Sequence, residues 1–234
     1  MNVAPQTATG RQPTTAGLSV EWLGRVPYGE ALALQDAAVA ERRAGGPDRL
    51  LLLEHPPVVT LGRSTRRENL RASPEALAAR GVECFEVARG GDVTWHGPGQ
   101  LVGYVIADLA ARGTPDAHVW LRTIEATLIE ALDALGVPAR ALPGMTGVFL
   151  EREGQGGVPL KIASIGVGLR GWISWHGFAL NATPDLRGFD DIVPCGLSGA
   201  RMTSLAEALD QPPTEALFAR AREAVAASFR RVLA

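Results

Sequence analysis

Two residues of the sequence carry side chains that could act together as a nucleophile and a proton acceptor. Cys195 lies in the stretch IVPCGL, between a proline and a glycine, with no second cysteine nearby to pair with. Lys161 is the only lysine among 23 basic residues. Arginine replaces lysine readily on a solvated surface, but only lysine gives up its proton easily in a protein. We therefore expect Lys161 to stand where that proton matters; a surface lysine kept by chance is the alternative.

The chemistry of a thiol sets what Cys195 would need. With a pKa of ~8.5, a thiol is only about 3% thiolate at pH 7, and a pKa of ~7 would raise this to about half. A nearby ammonium group can cause such a change, and Lys161 could also act as a general base. The two residues lie far apart in the sequence, so their contact is a hypothesis. The pair predicts a ping-pong acyl transferase, whereas Cys195 alone is more typical of a packing residue.

The segment RGGDVTWHGPGQ, residues 89–100, holds four glycines together with charged and aromatic residues. Glycines allow close approach of a ligand, and exposed N–H groups can bind an oxyanion. Trp95 could line an apolar pocket. His96 is the histidine best placed to carry a proton, with a structural hydrogen bond as the alternative. His176 also precedes a glycine, whereas His55 and His118 are more typical of structural or solvated histidines.

The segment GVGLRG, residues 166–171, matches the GxGxxG pattern of dinucleotide-binding loops. That pattern requires a helix directly after the glycines. The following WISWHGFAL alternates like a strand instead, so we predict a hairpin turn.

Hydrophobic periodicity and turn residues predict helices and strands in a mixed order. Helices are expected over 26–45, from Ser73–Pro74, over about 115–135 ending at Gly136, and from about 214. Strands are expected over 49–62, interrupted by Pro56 and Pro57, over 82–88 with Cys84 as a packing residue, over 101–109, and as successive antiparallel strands over 147–183. A loop over 184–199 leads to a short helix. Because the order is not a regular βαβ alternation, the fold class is α+β with a mixed sheet flanked by helices.

Composition narrows the function classes. The chain has 234 residues, 46% hydrophobic content and a formal net charge of -2, which favours one domain and gives no sign of a nucleic-acid partner. Two cysteines build no disulfide scaffold and suit a reducing cytoplasm. Residues 1–17 lack the pattern of a signal peptide and predict a disordered tail before a single domain over 18–234. No apolar run has the roughly 20 residues of a membrane span, so we expect no membrane partner.

Three long blocks closely resemble the signatures of the bacterial lipoyl(octanoyl) transferases, in the order of that family. They are RGGDVTWHGPGQLVGY, KIASIGVGLRGWISWHGFALN and DLRGFDDIVPCGLSGARMTSL. The resemblance extends over about residues 20–210. It implies the fold of biotin and lipoate protein ligases, a mixed sheet flanked by helices with a smaller second sheet.

The resemblance also implies the roles of residues within the matching blocks. Cys195 would be the acyl-thioester nucleophile, and Lys161 would lower its pKa. The substrate pocket would be formed by Arg89, Gly90, Gly91, Asp92, Val93, Thr94, Trp95, His96, Ser164, Ile165, Gly166, Gly177, Phe178 and Ala179. Trp95 and Phe178 depart from the residues more usual in the family.

The implied reaction moves an octanoyl group from octanoyl-acyl carrier protein to a lysine of lipoyl domains, the first step of endogenous protein lipoylation. The acceptors would be the acyltransferase subunits of 2-oxoacid dehydrogenases and the glycine cleavage H protein. This reaction needs no metal or other cofactor, because the thioester is already activated. We expect a cytoplasmic protein and a monomer.

Three alternative functions would require different features of the sequence. A lipoate or biotin protein ligase would form an acyl adenylate from ATP and would not require Cys195, and the arginine-rich glycine loop of biotin ligases is absent from the sequence. An amidotransferase would use a similar cysteine to move an acyl group between lipoyl-bearing proteins. A non-catalytic module would bind acyl carrier protein or lipoyl domains and would leave Cys195 with an ordinary thiol.

Overall fold

The structure of the protein is a computed structural model that describes residues 17–193 and 199–233. Most of the predicted tail lies outside these residues, and so does Cys195. The strands are β1 (Ser19–Arg25), β2 (Arg49–Glu54), β3 (Val58–Leu61), β4 (Glu83–Glu86), β5 (Val93–His96), β6 (Gln100–Ile106), β7 (Ala139–Leu142), β8 (Met145–Leu150), β9 (Leu160–Arg170), β10 (Ile173–Asn181) and β11 (Arg201–Met202). The helices are α1 (Tyr28–Arg43), α2 (Pro74–Ala78), α3 (Ala117–Asp133), α4 (Leu205–Leu209) and α5 (Glu215–Leu233).

The strands form two sheets, which confirms the predicted architecture. The large sheet has the order β1-β2-β6-β10-β9-β8-β7, and β11 pairs with β9. It is mixed, because β1 runs parallel to β2 while β2, β6, β10, β9 and β8 pair antiparallel. The small sheet has the order β4-β3-β5. The break that Pro56 and Pro57 predict within 49–62 is real, and its two halves, β2 and β3, belong to different sheets.

Helices cover both faces of the large sheet. On one face, α3 and α5 pack against the strands through Trp120, Ile124, Leu128 and Phe229. On the other face, α1 packs against Trp175 and neighbouring strand residues. Because one apolar stripe of each helix meets one face of the sheet, the periodicity of the sequence was sufficient to place these helices.

Capping and turn residues mark the ends of several helices and strands at the predicted positions. The Ser73 hydroxyl accepts a hydrogen bond from the Ala76 N–H at 3.2 Å and caps α2. Gly136 has a φ of 78° just after α3. Gly171 and Trp172, with φ of 62° and 65°, form the turn between β9 and β10, as expected for a two-residue hairpin. The GVGLRG segment therefore lies in a strand and a hairpin turn, and no helix follows it.

A buried ion cluster joins α1, the loop that precedes β2 and the loop that follows β6. Arg42 Nε donates to Asp48 Oδ1 at 2.5 Å, and Arg112 Nε donates to Asp48 Oδ2 at 2.7 Å. The Asp108 N–H also donates to Asp48 Oδ1, at 3.2 Å, and Arg112 Nη2 reaches the Leu233 carbonyl at 2.5 Å. The side chain of Asp48 is only 4% exposed, and both of its oxygens are partnered. Within the described part of the chain, no helix is long and apolar enough to cross a membrane.

Candidate active site

A pocket lies between the large sheet and the glycine-rich segment, with the small sheet and the start of α1 beside it. On the sheet side, β9 and β10 form its wall, with Ser164 opposite Ala179 and Gly166 opposite Gly177. The described residues that line it are Tyr28, Arg89, Gly91, Asp92, Thr94, His96, Val102, Tyr104, Ser164, Ile165, Gly166, His176, Gly177, Phe178 and Ala179. The structure thus brings together most of the residues that the sequence blocks assign to a substrate pocket.

Three residues of the predicted set lie elsewhere. Along β5, Thr94 and His96 line the pocket, whereas Val93 and Trp95 pack on the opposite side in a small hydrophobic cluster. Successive side chains of a strand point to opposite faces, so a contiguous block could not line one pocket throughout. Gly90 contributes its backbone, since its N–H donates to the Val167 carbonyl of β9 at 2.8 Å.

Four lining residues were not in the predicted set: Tyr28, Val102, Tyr104 and His176. Val102 and Tyr104 could have been found from the alternation of LVGYVI, which places both on one face of β6. Tyr28 comes from α1, far away in the sequence, and no local signal marks it. His176 stands directly before the predicted Gly177, and that position is its only signal in the sequence.

Arg89 and Asp92 hold the glycine-rich segment in place. The buried guanidinium of Arg89 donates to the carbonyls of Gly90 and Asp92, and at 2.8 Å to both the carbonyl and the hydroxyl of Thr60 in β3. The carboxylate of Asp92 accepts from the Asn69 side-chain amide at 2.5 Å and from the Val93 N–H at 2.7 Å. These bonds fasten the segment to the small sheet, and they shape the pocket wall.

A chain of hydrogen bonds fixes the tautomer of His96. The Thr203 carbonyl can only accept, so the Asn181 amide nitrogen donates to it, at 2.9 Å. Asn181 Oδ1 then accepts from Gln100 Nε2 at 2.9 Å, which leaves Gln100 Oε1 to accept from His96 Nδ1 at 2.6 Å. Burial, with a smaller effect from His55, lowers the pKa of His96 to about 3. His96 is therefore neutral, and its Nε2 carries a lone pair.

His55 belongs to a second fixed arrangement beside the pocket. Its Nδ1 donates to the Val26 carbonyl at 2.7 Å, so its Nε2 accepts from the Tyr104 hydroxyl at 2.7 Å. Burial lowers the pKa of His55 to about 4 and raises the pKa of Tyr28 to about 12. The structural role expected for His55 agrees with these bonds. His118, also expected to be structural or solvated, is exposed at the start of α3.

His176 differs from the other two pocket histidines. It is 2% exposed, yet neither ring nitrogen has a hydrogen-bond partner among the described residues. Its φ of 55° lies in the left-handed region, which costs a residue other than glycine about 1–2 kcal/mol. Burial, followed by the charges of Arg89, Arg170 and Arg63, lowers its pKa to about 3. A buried, neutral, unpartnered imidazole in a strained backbone is typical of a binding site.

Lys161 is buried on β9, with 1% of its surface exposed. Its Nζ donates to the Thr146 carbonyl at 2.9 Å and lies 5.6 Å from the centre of the Phe149 ring. Gly147 makes room for the side chain, since a Cβ there would lie 2.6 Å from Lys161 Cε. Ser164 of the pocket follows only three residues later on β9. The lysine singled out by the sequence is therefore a core residue next to the pocket, and not a surface residue kept by chance.

The described residues on either side of 194–198 bond to two residues next to the pocket, Asn69 and Lys161. The Val193 N–H donates to the Asn69 carbonyl at 2.7 Å, and Asn69 is the residue that binds Asp92. On the other side, Met202 of β11 pairs with Lys161, and the Thr203 N–H donates to the Lys161 carbonyl at 2.9 Å. The two flanks thus connect the glycine-rich segment to the strand that carries Lys161. Among residues 17–193 and 199–233, no group of three or more His, Cys, Asp or Glu side chains could hold a metal ion.

Comparisons with known proteins identify the family. The family model of the lipoyl protein ligase A/B catalytic domain matches residues 27–230. An octanoyltransferase of Acidobacterium capsulatum is 49% identical over 203 residues, which cover 83% of this chain and 82% of that protein. An octanoyltransferase of Geobacter sulfurreducens is 47% identical over 208 residues, covering 88% of this chain and 81% of that protein.

Solved structures share the fold at low sequence identity. A lipoate-protein ligase A, crystallised with ATP, aligns with a TM-score of 0.69 and 16% identity over 93% of this chain and 85% of that chain. An archaeal bipartite lipoate protein ligase from Thermoplasma acidophilum aligns with a TM-score of 0.67 and 18% identity, over 93% of this chain and 83% of that chain. The fold and the sequence together place the chain in the lipoyl protein ligase A/B catalytic-domain family. Within that family it belongs to the lipoyl(octanoyl) transferases.

Proposed function

We propose that this protein transfers an octanoyl group from octanoyl-acyl carrier protein to lipoyl-domain lysines through a thioester on Cys195. The observation that carries the proposal is the position of Lys161, the only lysine of the chain. It is buried on β9, three residues before the pocket begins, in a chain whose relatives are named octanoyltransferases.

The flanks of the segment that contains Cys195 support its pairing with Lys161. Val193 is bonded beside the glycine-rich segment, and Met202 is paired with Lys161 itself. Cys195 follows Val193 by two residues in the sequence, so its approach to the pocket is part of the proposal. An ammonium group next to a thiol favours the thiolate, which is the nucleophilic form.

The first half-reaction would acylate the enzyme. The Cys195 thiolate attacks the carbonyl carbon of the octanoyl thioester, and N–H groups of the glycine-rich segment stabilise the developing oxyanion. Collapse of the tetrahedral intermediate breaks the bond to the phosphopantetheine sulfur. That thiolate leaves and takes the proton of the Lys161 ammonium, so that an octanoyl thioester remains on Cys195 and the amine of Lys161 is neutral.

The second half-reaction would acylate the acceptor. The neutral amine of a lipoyl-domain lysine attacks the enzyme thioester, and Lys161 accepts the proton that the amine loses. The thiolate of Cys195 is the leaving group, so the enzyme returns to its starting state and an amide has formed. Each half-reaction exchanges one acyl bond for another, and therefore neither ATP nor a metal is required.

The proposed acceptors are the acyltransferase subunits of 2-oxoacid dehydrogenases and the glycine cleavage H protein. We place the protein in the cytoplasm as a single catalytic domain and a monomer. Two cysteines in the whole chain suit a reducing compartment.

A donor comparison tests the proposal. Purified protein is mixed with an isolated lipoyl domain and one of three donors, which are octanoyl-acyl carrier protein, octanoyl-H protein, or free octanoate with ATP. We expect octanoylation of the target lysine from the acyl carrier protein without ATP, and none when that lysine is replaced by arginine. Transfer from octanoate with ATP alone would make the protein a ligase. Transfer from the H protein alone would make it an amidotransferase, and binding without transfer would leave only a binding module.

A further inference from the structure

We propose that His176 closes the far end of the acyl-binding pocket and limits the acyl chain to about eight carbons. His176 is then a specificity-determining residue for the transfer reaction. The inference rests on the proposed function, because it takes the reacting carbonyl to lie near Lys161.

The strand register gives the length of the pocket. The Nζ of Lys161 is bonded to Thr146, and the adjacent Gly147 lies so close to Ala163 that a Cβ there would be 2.6 Å from its carbonyl oxygen. The amine is therefore level with the start of the pocket at Ser164, and His176 pairs with Val167 three residues further along β9.

That register matches the length of the proposed substrate. Three residues of a strand at about 3.3 Å each give a pocket about 10 Å long. Seven C–C bonds of about 1.5 Å in a zigzag extend roughly 9 Å, which is the length of an octanoyl chain. A carbonyl held near the amine of Lys161 thus places the terminal methyl group against His176.

The imidazole of His176 is held firmly enough to act as a stop. The backbone N–H of His176 donates to Gln35 Oε1 at 2.8 Å. The centre of its ring lies 3.9 Å from that of Trp175 and 6.1 Å from that of Tyr104. The positive φ turns the side chain out of the regular alternation of β10. Because Trp175 and Tyr104 pack on either side, the ring has little room to rotate away from a longer chain.

The polarity of the ring adds to this steric limit. Both ring nitrogens are buried, and neither has a hydrogen-bond partner among the described residues. An octanoyl chain ends at the ring. A decanoyl chain would press two further methylene groups against these polar nitrogens. An apolar end wall, such as leucine, would impose no such cost.

The test starts with the unmodified protein and a series of acyl chains. Hexanoyl-, octanoyl-, decanoyl- and dodecanoyl-acyl carrier protein are supplied in turn, and the rate of acyl-enzyme formation is measured by mass spectrometry. We expect the rate to fall about 10-fold or more from octanoyl to decanoyl, since one excess methylene in a closed pocket is typically discriminated by about 10-fold or more. Equal rates for the three longer chains would overturn the inference without touching the proposed function. Absence of any adduct would overturn both.

Variants then test whether His176 sets this limit on the length of the acyl chain. In His176→Ala, the ratio of decanoyl to octanoyl rates should rise about 10-fold or more, because the wall recedes. His176→Gln keeps a polar side chain of similar reach and should retain the octanoyl preference. His118→Gln alters an exposed histidine that does not line the pocket, and it should also leave the ratio unchanged. The ratio does not depend on the fraction of folded protein, so an unchanged ratio in His176→Ala would refute the role of His176 even if that variant is less stable.

Discussion

Two buried polar regions of this protein differ in how their polar atoms are satisfied. In the ion cluster around Asp48, each carboxylate oxygen accepts a hydrogen bond from an arginine, and one also accepts a backbone N–H. In the pocket, the ring nitrogens of His176 and the hydroxyl of Thr94 have no partner in the described part of the chain. Both regions are almost inaccessible to solvent.

The presence or absence of hydrogen-bond partners distinguishes buried residues that stabilise the fold from buried residues that bind a ligand. A fully partnered buried charge recovers its lost hydration within the protein, so it can be structural. An unpartnered buried nitrogen is unfavourable in the free protein and persists only where a ligand or function requires it. Substitutions in the ion cluster should therefore reduce the free energy of unfolding. Substitutions in the pocket should reduce the rate of transfer or change the preferred substrate.

The largest expected effect is on catalysis, from a buried residue beside the pocket. Lys161→Met keeps the length of the side chain and removes the amine, and we expect transfer to fall by about 10²- to 10⁴-fold, as for loss of a general base. The effect on stability should be much smaller, because the loss of the hydrogen bond to Thr146 is offset by no longer burying an amine. Activity assays with urea unfolding as a parallel readout test both statements. Lys161→Arg separates the roles, since it keeps a positive charge and cannot accept a proton; near-normal transfer in either variant would refute the assignment.

The next effect is on stability, from the ion cluster. Asp48→Asn removes the charge that pairs with Arg42 and Arg112, and we expect a loss of about 3–5 kcal/mol in the free energy of unfolding. The matched control is Asp36→Asn, which breaks the exposed 2.6 Å pair with Arg170 and should cost less than about 1 kcal/mol. Urea denaturation measures both. Folded Asp48→Asn should keep the specific activity of the original protein, and a selective loss of activity would show that the ion cluster also serves the pocket.

A smaller effect is the response of stability to pH. Burial holds the pKa of His55 at about 4, and those of His96 and His176 at about 3, below the ordinary 6.5. The unfolded chain therefore binds more protons than the folded protein below pH 6.5. This stabilisation is complete above pH 6.5 and is lost as the pH falls toward 4.

Linkage gives the size of that loss, about 2 kcal/mol per buried histidine at pH 5. His176→Leu should lose about 2 kcal/mol less than the original protein between pH 7 and pH 5, whereas the exposed control His118→Gln should follow the original curve. Urea unfolding at the two pH values provides the comparison. Identical curves for His176→Leu and the original protein would show that His176 is not held neutral by the fold.

Much of the fold could be predicted from local patterns, because amphipathic helices, the Pro56–Pro57 break and the hairpin after GVGLRG each have a local cause. The candidate site was predictable in part. Contiguous blocks assigned Val93 and Trp95 to the pocket, although strand alternation turns them away from it. Tyr28 and the partners of Asp48 could not be found, since they depend on packing between distant segments.

In the proposed reaction, Cys195 carries the octanoyl group between donor and acceptor. The most direct test is the intact mass of the protein after incubation with octanoyl-acyl carrier protein in the absence of ATP, alongside Cys195→Ser and the matched control Cys84→Ser. Cys84 is half-buried in β4, and burial raises its pKa. We expect one hydroxylamine-labile octanoyl adduct on the original protein and on Cys84→Ser, and none on Cys195→Ser. An adduct that survives in Cys195→Ser, or transfer that proceeds only with ATP and without any adduct, would contradict it.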